Sequence, residues 1–233
     1  AGKSPLDKAL ARFHTELRQK LQSLVLYNSR EPRPGERDGI DYHFRAHREI
    51  ADLTTDERFV VMDVRGDLQA LDIGQLKEDL NEGDVFFEGN PFVGELLQTH
   101  SALAGIKKLS VFMSPLSRGE ILMLRSQSAV SLPDLVTDVM RRKLLRRTRR
   151  QKGELSAKDL ENIEIRASSA YEELKKAHRF QHVIPNHDGE DSENWDAFYY
   201  PIGDARKALL TFAALLQGET PPHAERWEKD LVP

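Results

Sequence analysis

The 233-residue chain contains no cysteine. That excludes disulfides, thiolate nucleophiles and cysteine-ligated metals together, and it fits a reducing compartment. An excess of one charge sign is also missing: 34 basic residues stand against 38 acidic ones, for a formal net charge of −4. Bulk charge therefore draws the protein neither to nucleic acid nor to an anionic membrane, and any such preference must come from a local cluster. No run approaches the roughly 18 consecutive apolar residues of a membrane span, and the opening AGKSPLDKAL lacks the apolar centre of a secretory signal. A soluble, cytoplasmic protein with no membrane partner is expected. There is no internal repeat and no low-complexity linker, and composition sets no oligomeric state.

What is present is enough apolar residue, 39% of the chain, to bury one sizeable core. Leu6, Leu10, Phe13 and Leu17 recur at offsets of four, three and four. That spacing predicts an amphipathic helix over 5–20, with Pro5 in the first turn, where its missing N–H does no harm. SLVLY at 23–27 reads as a short strand running into a loop broken by prolines and glycines. RFVVMDV (58–64), DVFFEG (84–89), KKLSVFMS (107–114) and FQHVIPN (180–186) read as further strands. Helices are expected over Ile73–Asn81, through most of 133–176, and in ARKALLTFAALLQG, stopped by Gly218. SAVSLPDLVTDVM reads as an inserted helix with Pro133 near its start. Alternation of strand and helix predicts an α/β fold with a mostly parallel sheet flanked by helices. The polar blocks 30–83 and 141–170 stand out as excursions, and the tail from Gly218 stays unassigned.

Two segments carry chemistry. The chain opens Ala1-Gly2-Lys3-Ser4 directly before a helix, matching the end of the pattern Gly-x4-Gly-Lys-Ser/Thr that wraps a triphosphate in backbone N–H groups. The first half of the pattern lies outside this chain. In that motif the lysine reaches the β- and γ-phosphates and the hydroxyl binds Mg²⁺. Gly2, Lys3 and Ser4 are thus candidates for ATP binding, Lys3 for catalysis and Ser4 for the metal. The second segment is SREPRPGERDGIDYHF, 29–44. It meets every fixed position of the form Ser/Thr-Arg-x-Pro-Arg-x-Gly-Glu-x-x-Gly-x-Asp-Tyr-x-Phe and so resembles the acceptor loop of the guanylate kinase family.

That resemblance covers most of residues 1–217. It implies a P-loop NTPase-type fold with an NMP-binding excursion at 30–83, a helical lid at 141–170, and a tail at 218–233. It implies a nucleoside-monophosphate kinase that moves the γ-phosphoryl of ATP, with Mg²⁺, to a nucleotide or similar phosphomonoester. It assigns Arg30, Arg33 and Tyr42 to the acceptor phosphate, since two guanidinium forks and a phenol suit a dianion. Arg149, Arg150 and Arg166 become the lid arginines that neutralise the migrating group, and Asn186 in VIPNHD the asparagine near the adenine.

The chain departs from the family on the base side. Leu26 stands where a hydroxyl holds guanine, and Val61 and Leu68-Gln69-Ala70-Leu71 stand where a glutamate and a further hydroxyl are expected. Asp63, Asp67 and Glu88 are the remaining acceptor-base candidates; Glu88-Gly89-Asn90 keeps one carboxylate of a usual pair. Pro5 removes one backbone donor from the phosphate cradle. Base specificity is left open, and so is a second reading in which the fold survives as a module binding a phosphorylated partner. The basic run RRKLLRRTRR, 141–150, fits the lid better than a nucleic-acid patch, so no nucleic-acid partner is expected. His182, His187 and Asp188 lack the spacing and third ligand of a metal site.

Overall fold

The computed structural model describes residues 2–33 and 35–233; Ala1 and Pro34, each inside a motif named above, lie outside them. In chain order the helices are α1 (Lys3–Phe13), α2 (Thr15–Gln19), α3 (His47–Asp52), α4 (Ile73–Glu82), α5 (Pro91–Thr99), α6 (Arg118–Arg125), α7 (Leu132–Lys152), α8 (Ala157–Ser168), α9 (Ala170–Lys175) and α10 (Gly203–Leu216). The strands are β1 (Leu21–Ser23), β2 (Tyr27–Asn28), β3 (His43–Phe44), β4 (Phe59–Val64), β5 (Asp67–Asp72), β6 (Asp84–Phe86), β7 (Val111–Ser114) and β8 (His182–Pro185). They form two compact units, one of residues 19–104 and one built from the N-terminal 18 residues with 105–233. No helix among the described residues is long and apolar enough to cross a membrane.

The expected helix over 5–20 is two helices. Thr15 Oγ1 donates to the Ala11 carbonyl, the acceptor its own amide would use in a continuous helix, and His14 leaves helical geometry at φ −132°. The expected strand at 23–27 is likewise divided. Leu21–Ser23 pair in parallel with β6, whereas Tyr27–Asn28 join a second sheet ordered β3-β2-β5-β4. Leu24–Leu26 carry the chain from one to the other. Parallel pairing is therefore present in pieces, β1 with β6, β2 with β3 and β7 with β8, while β5 runs antiparallel to both β2 and β4. In this 19–104 unit α3 packs on β5, and Ile50, Val64, Ala70, Leu71, Ile73 and Leu76 are buried.

In the other unit, α10 packs against α1 and β8. A single 21-residue helix, α7, replaces the expected separate insert. Ser131 caps it, Pro133 sits in its first turn, and it runs unbroken to Gly153, whose φ of 77° ends it. Its buried residues Leu132, Val136, Leu144 and Thr148 keep one face inward, and Leu144 packs with Ile163 and Ala167 of α8. The tail is part of the core. Trp227, Leu231 and Val232 pack with Ile121, Leu132, Val136 and Leu174. Glu225 and Val183 exchange backbone hydrogen bonds, Val183 N to Glu225 O at 2.7 Å and the reverse at 2.8 Å.

Candidate functional site

The acceptor loop lies wholly in the 19–104 unit. Asn28 Oδ1 accepts from the Arg30 amide at 3.1 Å, and Ser29 Oγ accepts from Leu68 N at 2.8 Å, so the start of the loop is tied to β2 and β5. Arg30 then makes a bidentate fork with Glu36, Nη1 to Oε2 at 2.6 Å and Nη2 to Oε1 at 2.7 Å. Its side chain is 14% exposed, and its guanidinium lies 5.1 Å from the centroid of Tyr42 and 5.4 Å from that of Phe44. Glu36 also accepts the Arg33 amide at 2.8 Å, while the Arg33 guanidinium stays half exposed, 3.8 Å from the same carboxylate. Gly39, at φ 74°, closes the far turn by donating to the Tyr42 carbonyl.

Two guanidinium groups dominate the electrostatics of the loop. Burial pushes the Glu36 carboxyl up, but the Arg30 hydrogen bonds, the Arg33 amide and both guanidinium charges outweigh it, and the group titrates below its ordinary range. Burial also raises the Tyr42 phenol, against the pull of Arg30 and Arg33 and with Glu36 and Glu88 adding to it. The hydroxyl thus remains protonated and able to donate. Arg30, Arg33, Tyr42 and Glu88 form one electrostatic cluster.

The other base-side residues are arranged differently. Asp63 Oδ1 accepts from Gly66 N at 2.9 Å, so this carboxylate caps the β4–β5 hairpin, whose turn residues Arg65 and Gly66 both have positive φ. Asp67 opens β5 one residue before Leu68, beside Ser29. Leu26, Ala70 and Leu71 are buried, and Asn28 and Gln69, cross-strand partners, are buried polar residues on β2 and β5. The pair was not anticipated, because a register between strands 41 positions apart (69 − 28) is invisible in a linear pattern.

The donor residues lie in the other unit. Gly2 is the N-cap of α1 at φ 84°, ψ 18°, and a Cβ there would fall 2.4 Å from Asn186 Nδ2 and 2.7 Å from the Asp188 carbonyl oxygen. Asn186 is fully buried. Its carboxamide donates to Asp188 O at 2.6 Å and accepts from Asp188 N at 3.1 Å, so it floors the turn at Gly2. Pro5 sits in the first turn of α1, among amides with no partner inside the helix.

Among the expected lid arginines, two stand apart from the third. Arg149 and Arg150 are exposed on α7, the latter 3.3 Å from Asp196. It is Arg147, 13% exposed, that turns inward and donates from Nη1 to Glu190 Oε2 at 2.6 Å. Burial pushes the Glu190 carboxyl up, but Arg147, and behind it Lys3 and Arg166, hold it down at about 2. Lys3, Arg147 and Arg166 therefore gather around one carboxylate. A signal existed: Arg147 falls three residues after Leu144 and one before Thr148, on the buried stripe of α7, whereas Arg149 and Arg150 fall off it. The remaining cations of the basic run are used internally as well, Arg141 by Glu164, Arg142 by Asp138 and Arg146 by Asp191.

His187 joins two helix starts. Its Nδ1 lies 2.5 Å from Asp204 Oδ2 at the beginning of α10, and its Nε2 lies 2.8 Å from Glu120 Oε1 in the first turn of α6. With a carboxylate on each nitrogen both must donate, which favours the imidazolium. Burial pulls the pKa down, but the Asp204 hydrogen bond and the Glu120 pairing win and raise it above the ordinary 6.5. A raised folded-state pKa contributes stability that is fully present below about pH 6.5 and fades as pH rises through the folded value. The melting-temperature gap between the protein and His187→Gln should therefore be largest near pH 6 and shrink by about pH 9. Half the imidazole is exposed, so the contribution is at most about 1 kcal/mol. A gap that grows with pH would refute this assignment.

A triphosphate fits the donor side. Three cations converge there at the start of an 11-residue helix, and Arg147 Nε is buried without a hydrogen-bond partner. Among the described residues no group of three or more His, Asp and Glu side chains is placed to hold a metal. Mg²⁺ at such a site would be held by the hydroxyl of Ser4 together with the nucleotide's own phosphates.

No protein-family model matches the chain. Guanylate kinase of Schizosaccharomyces pombe is 46% identical over 59 residues, 25% of this chain and 28% of that protein. Guanylate kinase of Ruegeria sp. is 26% identical over 223 residues, covering 95% of this chain and 83% of that protein. Among solved structures, guanylate kinase from Anaplasma phagocytophilum superimposes with a TM-score of 0.50 at 13% identity, over 92% of this chain and 81% of that one; at that identity the likeness speaks for the fold alone. Its fold is thus of the P-loop NTPase type, and the chain is similar to guanylate kinases, one of them matched over 95% of its length.

Proposed function

We propose that the protein is a nucleoside-monophosphate kinase that transfers the γ-phosphoryl of MgATP to the phosphate of a nucleotide, GMP being the acceptor its relatives' names imply. The observation that carries this reading is the Arg30–Glu36–Tyr42 cluster with Arg33 half exposed beside it. Glu36 holds Arg30 rigid and tilts it against Tyr42. That leaves the remaining Arg30 N–H groups, the half-exposed Arg33 fork and the phenol to close on a dianion. On the donor side, Lys3, Arg147 and Arg166 neutralise charge on the donor phosphates, Gly2 lets the backbone turn toward them, and Asn186 holds that turn from beneath. Bound MgATP supplies the migrating phosphoryl group and the metal charge. No general base is required, because positioning and charge neutralisation carry most of the rate. For the acceptor base, Asp67 and Glu88 are the carboxylates not taken by a turn cap.

The test is transfer from MgATP to a panel of GMP, AMP, CMP and UMP, with Arg33→Ala beside the unaltered protein. The Arg33 side chain is half exposed, so its loss should raise the acceptor KM by about tenfold to a hundredfold with little change in melting. GMP turnover that survives Arg33→Ala unaltered would count against the acceptor assignment. The burial of Leu26 where a base-binding hydroxyl is expected favours a second reading, a phosphomonoester-binding module. Binding of a monophosphate with no transfer to any acceptor would establish it in place of the kinase.

A further inference from the structure

The loop after β8 and the face of α7 carry opposite charges in register. Lys143, Arg146, Arg147 and Arg150 fall at offsets of zero, three, four and seven, a single helical face. Against them lie the His187 carbonyl, which accepts from Lys143 Nζ, and the carboxylates of Asp191 at 3.7 Å from Arg146, Glu190 at 2.6 Å from Arg147 and Asp196 at 3.3 Å from Arg150. The loop is not loosely draped. The Asp188 carboxylate accepts from Ser192 Oγ, Asn194 Nδ2 and the Ala205 amide at 2.8–3.0 Å. The buried Trp195 donates from Nε1 to the carbonyls of Asp188 and Gly189.

One of these pairs differs from the rest. Arg146, Arg150 and Asp196 are largely exposed, so their pairings are screened. Glu190 and Arg147 are both largely buried, at 25% and 13% exposure. Glu190 also lies in the field of Lys3 and Arg166, so one carboxylate faces three cations. A carboxylate and a phosphate oxygen engage a guanidinium with the same geometry, and Arg147 Nε still lacks an acceptor.

We propose that Glu190 is a built-in counter-anion of the donor-phosphate site: it occupies Arg147 between Lys3 and Arg166 until the terminal phosphate of the nucleotide displaces it, and so sets the affinity for the donor. The inference rests on the donor-side reading above. Glu190 keeps three like charges from repelling one another in the empty site and keeps Arg147 facing inward. It also opposes every incoming phosphate by one unit of charge. Asp191 and Asp196 anchor the loop to outer cations of α7, so Glu190 yields by side-chain rotation with the loop still pinned.

The experiment is calorimetric titration of MgATP and of inorganic tripolyphosphate into the full chain, its Glu190→Gln variant, which keeps shape and an acceptor for Arg147, and Glu190→Asp, which keeps the charge. Glu190→Gln should bind both ligands about tenfold more tightly, with a steeper salt dependence, and lower the KM for ATP more than it changes kcat. Glu190→Asp should stay near the unaltered protein. Equal or weaker binding by Glu190→Gln overturns the role of Glu190 alone. Failure of the unaltered protein and the variant alike to bind either ligand overturns the donor site and this inference together. Should Glu190→Gln fold poorly, the Glu190 carboxyl ¹³C resonance of the unaltered protein decides the matter. Saturating tripolyphosphate should shift it and raise its pKa, and an unmoved resonance would be contrary.

Discussion

Arg30→Ala should lower kcat/KM for the nucleotide acceptor by about a thousandfold while leaving ATP affinity nearly unchanged. The expectation comes from counting what one guanidinium does in the loop. Arg30 is buried against Tyr42 and Phe44, spends one fork on Glu36 and positions the remaining N–H groups. Each charge-assisted hydrogen bond to a phosphate oxygen contributes about 1.5–3 kcal/mol, and two lost together correspond to roughly a thousandfold. A second effect adds to the first. Without Arg30 the largely buried Glu36 carboxylate keeps only the Arg33 amide and a 3.8 Å approach to its guanidinium, so a negative charge would stand where the acceptor phosphate must bind. Arg30→Lys should recover little, because an ammonium cannot reproduce the planar fork that Glu36 accepts. Steady-state kinetics with varied acceptor and saturating MgATP read the effect. A loss smaller than about tenfold would mean that Arg30 only braces the loop.

Gly2→Ala should cost about 3 kcal/mol or more of stability, lowering the melting temperature of this 233-residue chain by roughly 10 °C. Two terms combine. The left-handed conformation at φ 84° penalises any Cβ by about 1–2 kcal/mol. The new methyl would also fall 2.7 Å from the Asp188 carbonyl oxygen, a backbone atom that is itself held, and 2.4 Å from Asn186 Nδ2. Gly35 supplies the control. Its φ is 88°, but a Cβ there meets nothing within 4 Å, so Gly35→Ala should show the backbone term alone, about 1 kcal/mol. Chemical denaturation of the two variants separates the terms. Equal losses at both positions would show that the contact with Asn186 and Asp188 yields without penalty, and that the floor beneath Gly2 is softer than its hydrogen bonds imply.

Much of the acceptor site was legible because its chemistry is contiguous. From Ser29 to Phe44 the fork partners, the turn glycine and the phenol all lie within 16 positions, and residues that close in sequence must be close in space. The bounds of α4 and α10 and the start of α7 at Pro133 were legible for a similar reason, since caps, prolines and terminal glycines act within one turn. The donor side was half legible. Gly2, Lys3 and Ser4 are local, but the arginine completing their charge cluster could be chosen from the basic run only by knowing which face of α7 turns inward. Arg149 and Arg150 lie on the exposed side of that helix, whereas Arg147 turns inward.

The tail illustrates the same limit. Trp227, Leu231 and Val232 show neither a strand nor a helix period, yet they complete the core beneath α6 and α7, and Glu225 pairs its backbone with Val183. Glu190 is a plainer case, one acid in an acidic loop until Arg147, Lys3 and Arg166 are folded around it. By itself, then, the sequence determined the arginine-bearing loop at 29–44, the alternation of strands and helices and the family resemblance, because each is written in short-range spacing. Only the tertiary structure decided which arginine of the basic run turns inward to Glu190, that Asn186 floors Gly2, that Asp63 caps a hairpin and that Glu190 lies in the field of Lys3 and Arg166. Those depend on helix azimuth and cross-strand register, which are set by burial summed over residues far apart in the chain.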